Sequence, residues 1–279
     1  MDSLTLRAGT GCAVVSADGG RVVELRPAHD VPNVLWHGTG AAIAGGDRMW
    51  PAPEVEHFYD DDGWRCPPEI DPGSWTLSGT ADGQAELRQR AADAGFRRTV
   101  TPIEDLPVTS PVPWSGYRTT DVLETDRAWS AWHLVVVPAP ARVFVGAWRE
   151  PVDYYAPRPD EIEGWMDVRD EPPRWKIGFP APEDGRVLLA ALDGADPGGL
   201  VVVFASADPG GTYVDVPPHG GPATAVQVYS SGGQGFCELE HHAPVESRTA
   251  TSAVVGAWGT RGERLELLEA LVESRPSVP

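Results

Sequence analysis

Short apolar runs, each cut off by glycine, proline or aspartate, set the rhythm of this chain. Residues 13–16 run as a strand, break at Asp18-Gly19-Gly20 and resume as Arg21-Val22-Val23-Glu24-Leu25, the signature of a β-hairpin. The same pattern predicts strands at 75–77, 98–100, 119–125, 131–137, 142–148, 175–179, 187–191, 200–205, 225–229, 235–240 and 253–258. Some of them, such as His133-Leu134-Val135-Val136-Val137, are apolar nearly throughout, which fits strands buried on both faces. With 31 Gly and 28 Pro, turns come roughly every eight to twelve residues, the spacing of a sandwich or barrel. One helix is predicted over 261–275, with Leu265, Leu268 and Leu271 or Val272 as its apolar stripe and Glu263, Glu266, Glu269 and Glu273 toward water. A weaker helical period covers 85–92. No repeat, low-complexity tract or long linker divides the chain. The expectation is one all-β domain over 1–279, its core at about 10–258.

Composition narrows the partners. The formal charge of −19 excludes a sequence-independent grip on nucleic acid and disfavours an anionic membrane surface. No stretch approaches the length of a membrane span, and no basic-then-apolar leader opens the sequence. Cys12, Cys66 and Cys237 are too few and too scattered for a disulfide framework or a zinc site. A cytoplasmic location is expected, and the Ala-, Gly-, Pro- and Arg-rich, Lys-poor composition suggests a bacterial source.

Two segments concentrate charge among aromatic and apolar neighbours. One is Gly45-Gly46-Asp47-Arg48-Met49-Trp50-Pro51-Ala52-Pro53-Glu54; the other, roughly 190 residues downstream, is Gly235-Phe236-Cys237-Glu238-Leu239-Glu240-His241-His242-Ala243-Pro244. Charges in such surroundings are costly unless paired or used, so both segments are expected to line one polar site. Glu238 and Glu240 stand two apart, so on a strand both carboxylates point to one face and suit acid–base work. The alternative is the polar outer face of an edge strand. His133 is either a hydrogen-bonded core histidine or a second catalytic group. Arg48 offers a planar donor fork to a carboxylate or to vicinal hydroxyls, or else a salt bridge to Asp47 or Glu54. Trp50, Glu54 and His57 follow it and are expected to line the same cleft.

Aromatic faces recur in Trp129-Ser130-Ala131-Trp132, in Trp165-Met166-Asp167-Val168-Arg169-Asp170 and in Arg174-Trp175-Lys176. Aromatic rings take the apolar face of a sugar while charged neighbours take its hydroxyls. Trp132, Trp165, Arg169, Asp170 and Lys176 are therefore expected to join Arg48, Trp50, Glu54 and His57 in holding substrate. A metal site built on His57, His133 and His241 is the minor alternative, since no close H-x-H or H-x-x-x-H pair occurs. No cofactor is expected, and neither a phosphate loop nor G-x-S-x-G is present.

The order of these segments resembles the galactose mutarotase-like superfamily, which includes the aldose 1-epimerases. Residues 18–25, followed by Asn33-Val34-Leu35-Trp36-His37-Gly38, resemble its opening hairpin, and residues 45–54 the segment that places an arginine in the sugar cleft. The likeness is nearer to an uncharacterised DUF4380-like branch, in which G-G-x-R-x-W-x-A-P-E, W-x-D-x-R and E-x-E stretches recur. Here the last two are Trp165 to Arg169 and Glu238-Leu239-Glu240. Two departures stand out: the N-H-x-Y-F signature of true aldose epimerases is missing, and Phe236-Cys237 is followed by two glutamates, leaving the register of the catalytic one open. The resemblance implies a mostly antiparallel β-supersandwich with a short C-terminal helix. It also implies an isomerase in which Glu240 or Glu238 takes the anomeric proton, His133 protonates the ring oxygen, and Arg48, Asp170 and Trp165 orient a sugar-like small molecule. The fold also accommodates a biosynthetic lyase or cyclase, or a non-catalytic carbohydrate-binding module, in a monomer or homodimer.

Overall fold

The computed structural model describes residues 3–38, 44–91, 93–146, 150–155 and 161–274. Among these residues one sheet has nine strands, in the spatial order Ser3–Ala8, Gly11–Ser16, Arg21–Arg26, Asp47–Ala52, Ser130–Pro138, Phe236–His242, Val226–Ser230, Trp175–Phe179 and Val152–Asp153. A second has ten, in the order Glu161–Ile162, Trp165–Val168, Ala141–Val145, Arg186–Asp193, Gly198–Ser206, Thr249–Gly259, Trp114–Glu124, Ala94–Pro102, Ala85–Ala91 and Thr76–Gly79. The ladders are antiparallel, as in the hairpin of Gly11–Ser16 and Arg21–Arg26 around the Asp18–Gly20 turn.

The main core lies between the sheets. Val22, Leu25, Val135, Val137 and Leu239 from the first sheet pack with Val143, Leu189, Val201, Val203 and Val254 from the second. The continuous run at 200–203 has a simple cause. Val201 and Val203 face this core, while Leu200 and Val202 face outward, where Leu267, Leu268 and Leu271 of the helix Arg261–Ser274 cover them. Each such leucine contributes about 1.5–3 kcal/mol by leaving water. The helix begins at a capping box in which the Thr260 backbone N–H and hydroxyl both donate to Glu263.

Two sequence expectations need correction. Residues 85–91 form a strand, not a helix: their burial alternates along the chain as they pair with Ala94–Pro102. On the C-terminal helix Leu267 joins the buried stripe and Val272 is exposed. The strand expected at 142–148 is Ala141–Val145, and residues 147 and 148 lie outside the described residues. No described helix is long and apolar enough to cross a membrane.

Candidate active site

Three central strands of the nine-stranded sheet carry the charged segments. In their register Trp132 lies opposite Trp50 and His242, His133 opposite Met49 and His241, Leu134 opposite Arg48 and Glu240, and Val136 opposite Glu238. Successive side chains on a strand take opposite faces. Arg48, Trp50, Trp132, Glu238, Glu240 and His242 therefore share the outer face, and Asp47, His133 and His241 the face toward the other sheet. The neighbouring strands add Gln227 opposite Glu240, and Tyr229 opposite both Glu238 and Lys176, to the outer face.

A cavity of about 210 Å³ opens on that outer face, lined by Trp50, Glu54, Trp64, Trp132, Tyr155, Arg174, Lys176, Tyr229, Gln234 and Glu238. A single water needs only ~10–15 Å³, so the space suits a ring-sized ligand. The one-turn helix Glu54–His57 and the hairpin Tyr59–Asp60 with Gly63–Trp64 bring Glu54 and Trp64 to its wall. Opposite them Gly232, at φ 62°, lets the turn after Val226–Ser230 lie on the backbone of Arg174; a Cβ there would come within 2.4 Å of the Arg174 nitrogen. The same turn carries Gln234, and Asp170 steadies it by accepting a hydrogen bond from the Gly235 backbone N–H at 2.7 Å.

Two ion-pair systems lie side by side on this face. Arg48 Nη2 donates to Glu238 Oε1 at 2.5 Å, both residues buried, and the guanidinium lies over the Trp50 ring at 4.2 Å. Lys176 Nζ lies between Glu54 Oε2 at 3.0 Å and Glu240 Oε2 at 3.2 Å, above the Trp132 ring. Trp64 Nε1 donates to Glu54 and Trp132 Nε1 to Glu240. Beneath them Asp215 accepts from the Glu54 backbone N–H and from Gln227, which also meets Tyr154 and Thr224.

Burial sets the protonation pattern. Desolvation raises both glutamates. The attraction of Arg48 offsets part of the rise at Glu238, whereas Glu240 is pushed up to about 8 against the pull of Lys176. Lys176 is raised well above the ordinary lysine value: its two carboxylates outweigh the cost of burial, so it stays charged. Burial also raises the Tyr155 phenol and lifts Tyr229 to about 12, keeping both as O–H groups. His242, stacked on Trp132, is lowered by burial to about 4 and stays neutral.

The candidates named from sequence divide sharply. Trp50, Glu54, Trp132, Lys176 and Glu238 line the cavity; Arg48 backs Glu238, and Glu240 lies under Lys176 and Trp132. His133 does not reach it, a correction that follows from alternation. Its Nδ1 lies 2.8 Å from Asp121 Oδ2 in a sealed inter-sheet network with Asp47, Arg98, Thr119 and Ser252. Trp165 and Arg169 also lie elsewhere: Trp165 packs on Phe144 in the ten-stranded sheet, and Arg169 borders a depression beside Asp193 and Arg261. Asp170 anchors the Gln234 turn instead of lining the wall, and His57 packs against Trp129 at 4.4 Å. The histidine triad proposed for a metal does not converge, since His133 stacks on His241 in the core and His57 lies apart. Among the described residues no three His, Cys, Asp or Glu side chains gather to hold an ion.

Sequence reading missed Trp64, Tyr155, Tyr229 and Gln234. Tyr229 was recoverable in principle, because it ends a predicted strand, but its partners were unknown. Trp64 arrives from a two-residue strand, and Tyr155 and Gln234 from short turns, with no periodic signal.

No protein-family model matches this chain, and no curated protein does. Solved structures do. A galactose mutarotase-related enzyme from Lactobacillus acidophilus is 8% identical at a TM-score of 0.56, covering 92% of this chain and 97% of its own. A candidate aldose 1-epimerase from Escherichia coli K12 is 14% identical at 0.55, covering 92% and 99%. A galactose mutarotase-like protein from Lactobacillus casei is 9% identical at 0.53, with 92% and 99% covered. At such identities the likeness concerns the fold: this chain has the galactose mutarotase-like fold.

Proposed function

We propose that the chain is an acid–base enzyme acting on a sugar or sugar-like ring in this cavity, with mutarotation or epimerisation as the reaction class. The observation that carries the reading is Glu238: a buried carboxylate on the wall of an aromatic pocket, pinned at one oxygen by Arg48 and raised by burial. A base so placed suits removal of the anomeric hydroxyl proton. The ring oxygen then takes a proton from Lys176, which regains one from the Glu240 carboxyl 3.2 Å away, as the bond from the anomeric carbon to the ring oxygen opens. Rotation and reclosure return the protons by the same route. The relay replaces the histidine expected from the resemblance. Trp50, Trp64 and Trp132 wall the ring on its apolar side, Trp50 and Trp132 with their faces already covered, and Tyr155 and Tyr229 donate to its hydroxyls.

Against a binding module stands the form of the aromatic wall. Trp50 and Trp132 are each only 2% exposed and meet at 75°, not as a flat external platform. The test is anomer interconversion, followed by polarimetry or exchange NMR over a panel of aldoses and their acids and phosphates. Glu238→Gln is expected to cut turnover per folded molecule about 10²- to 10⁴-fold. Full activity in that variant would remove Glu238 from the chemistry.

A further inference from the structure

We infer that the mouth of the cavity holds an anion subsite built on Arg174, so that the substrate is a sugar-like ring carrying a carboxylate or phosphate. This inference rests on the reading of the cavity as a ring-binding site and specifies its substrate class.

The charges of the pocket pair off with one exception. Glu238 has Arg48, and Glu54 has Lys176. Arg174 lines the same cavity and, among the described residues, has no carboxylate partner. Its guanidinium lies over the Tyr155 ring at 5.3 Å and beside the Tyr229 hydroxyl, so it is held at the rim by two aromatic side chains that leave its charge uncompensated. The side-chain amide of Gln234 stands at the same rim and adds neutral N–H donors. The chain as a whole carries −19, a field that repels anions, so an unpaired arginine at the mouth is a specific local exception. A planar guanidinium matches a carboxylate or phosphate through paired N–H donors. A cationic guest is disfavoured, because Arg48 and Lys176 already occupy the faces of Trp50 and Trp132.

The test uses the whole chain and the fluorescence of its pocket tryptophans. Glucose and galactose are titrated beside their 6-phosphates, their uronates and inorganic phosphate. At least one anionic sugar is expected to bind about 10- to 100-fold tighter than its neutral parent, the size of one charge-assisted hydrogen bond. Added salt weakens that preference. Arg174→Gln is expected to erase it, and Arg174→Lys, which keeps the charge but not the paired donors, to restore only part of it; because Arg174 is exposed, both variants retain the fold. A preference for the esters assigns a phosphate, and one for the uronates a carboxylate. The subsite is overturned if no anionic sugar binds saturably at millimolar concentration, if neutral sugars bind as well, or if the preference survives Arg174→Gln. Inorganic phosphate binding as tightly as the sugar esters also overturns it, as an ion site without ring recognition. The readout is binding, so it separates from turnover. An anion preference without turnover of any sugar sinks the catalytic reading alone, and turnover of neutral sugars without the preference sinks the subsite alone.

Discussion

The same three strands present two chemistries on their two faces. Toward the second sheet, Asp47 accepts from Arg98 and from the Tyr117 hydroxyl, while Asp121 meets Arg98 at 3.0 Å and His133 at 2.8 Å, all of them fully buried. Toward solvent, Arg48, Glu238, Glu240 and Lys176 pair in much the same way but border a cavity. There Glu240 Oε1 and Arg48 Nε and Nη1 have no hydrogen-bond partner among the described residues. Asp47 and Arg48, Trp132 and His133, and Glu240 and His241 are chain neighbours divided between the faces by alternation alone. The sealed network is a structural element, and the open one is where protons and ligands have access.

Breaking the sealed face has the largest expected effect on stability. Arg98→Met removes the cation between Asp47 and Asp121 and leaves two buried carboxylates uncompensated. That costs about 3–5 kcal/mol of unfolding free energy, measurable by chemical denaturation, while the molecules still folded retain their turnover. If stability is unchanged, the inner network is not structural.

The pH dependence sharpens the contrast further. Glu240 is raised to about 8 in the folded chain against about 4.3 for a free glutamate. Between those values the folded chain binds more protons than the unfolded one. This group's contribution to stability is therefore complete below about pH 4.3 and is lost as pH rises through 8. The buried His242, lowered to about 4, works in the opposite sense: its contribution is present above about pH 6.5 and lost as pH falls through 4. Between about 6.5 and 8 the carboxylates raised by burial still change, so stability is expected to decline over that range. Glu240→Gln should flatten that decline, and an unaltered slope would mean that the raised proton lies elsewhere. Smaller again is Trp64→Ala, expected to weaken ligand binding by about tenfold as one aromatic wall is lost, as read by titration calorimetry. Smallest is Trp165→Ala, which touches only the ten-stranded sheet; it is expected to leave both turnover and affinity unchanged in the same assays.

Much of the architecture was legible from the sequence because apolar runs and Gly/Pro turns report strands directly. The helix expected at 85–92 failed because its alanines and charged residues fit either period until Ala94–Pro102 supplies the partner strand. At the site, the two-residue spacing of Glu238 and Glu240 correctly put both carboxylates on one face. It could not tell that Glu238 borders the cavity while Glu240 lies beneath Lys176, which depends on side chains from another strand. Trp132 and His133 are both expected in the cleft, yet neighbours on one strand take opposite faces, so only Trp132 reaches it. Arg169 and Trp165 drew attention by composition, and the topology takes them to the other sheet.

The most direct test sets His133→Asn beside Glu238→Gln in one polarimetric assay on the fastest-turning sugar, with turnover scaled to the folded fraction. The account expects Glu238→Gln to lose turnover about 10²- to 10⁴-fold per folded molecule, and His133→Asn to lose stability while its folded molecules turn over normally. The reverse outcome, with His133→Asn folded but inactive and Glu238→Gln active, would put the chemistry on the sealed face and contradict the account.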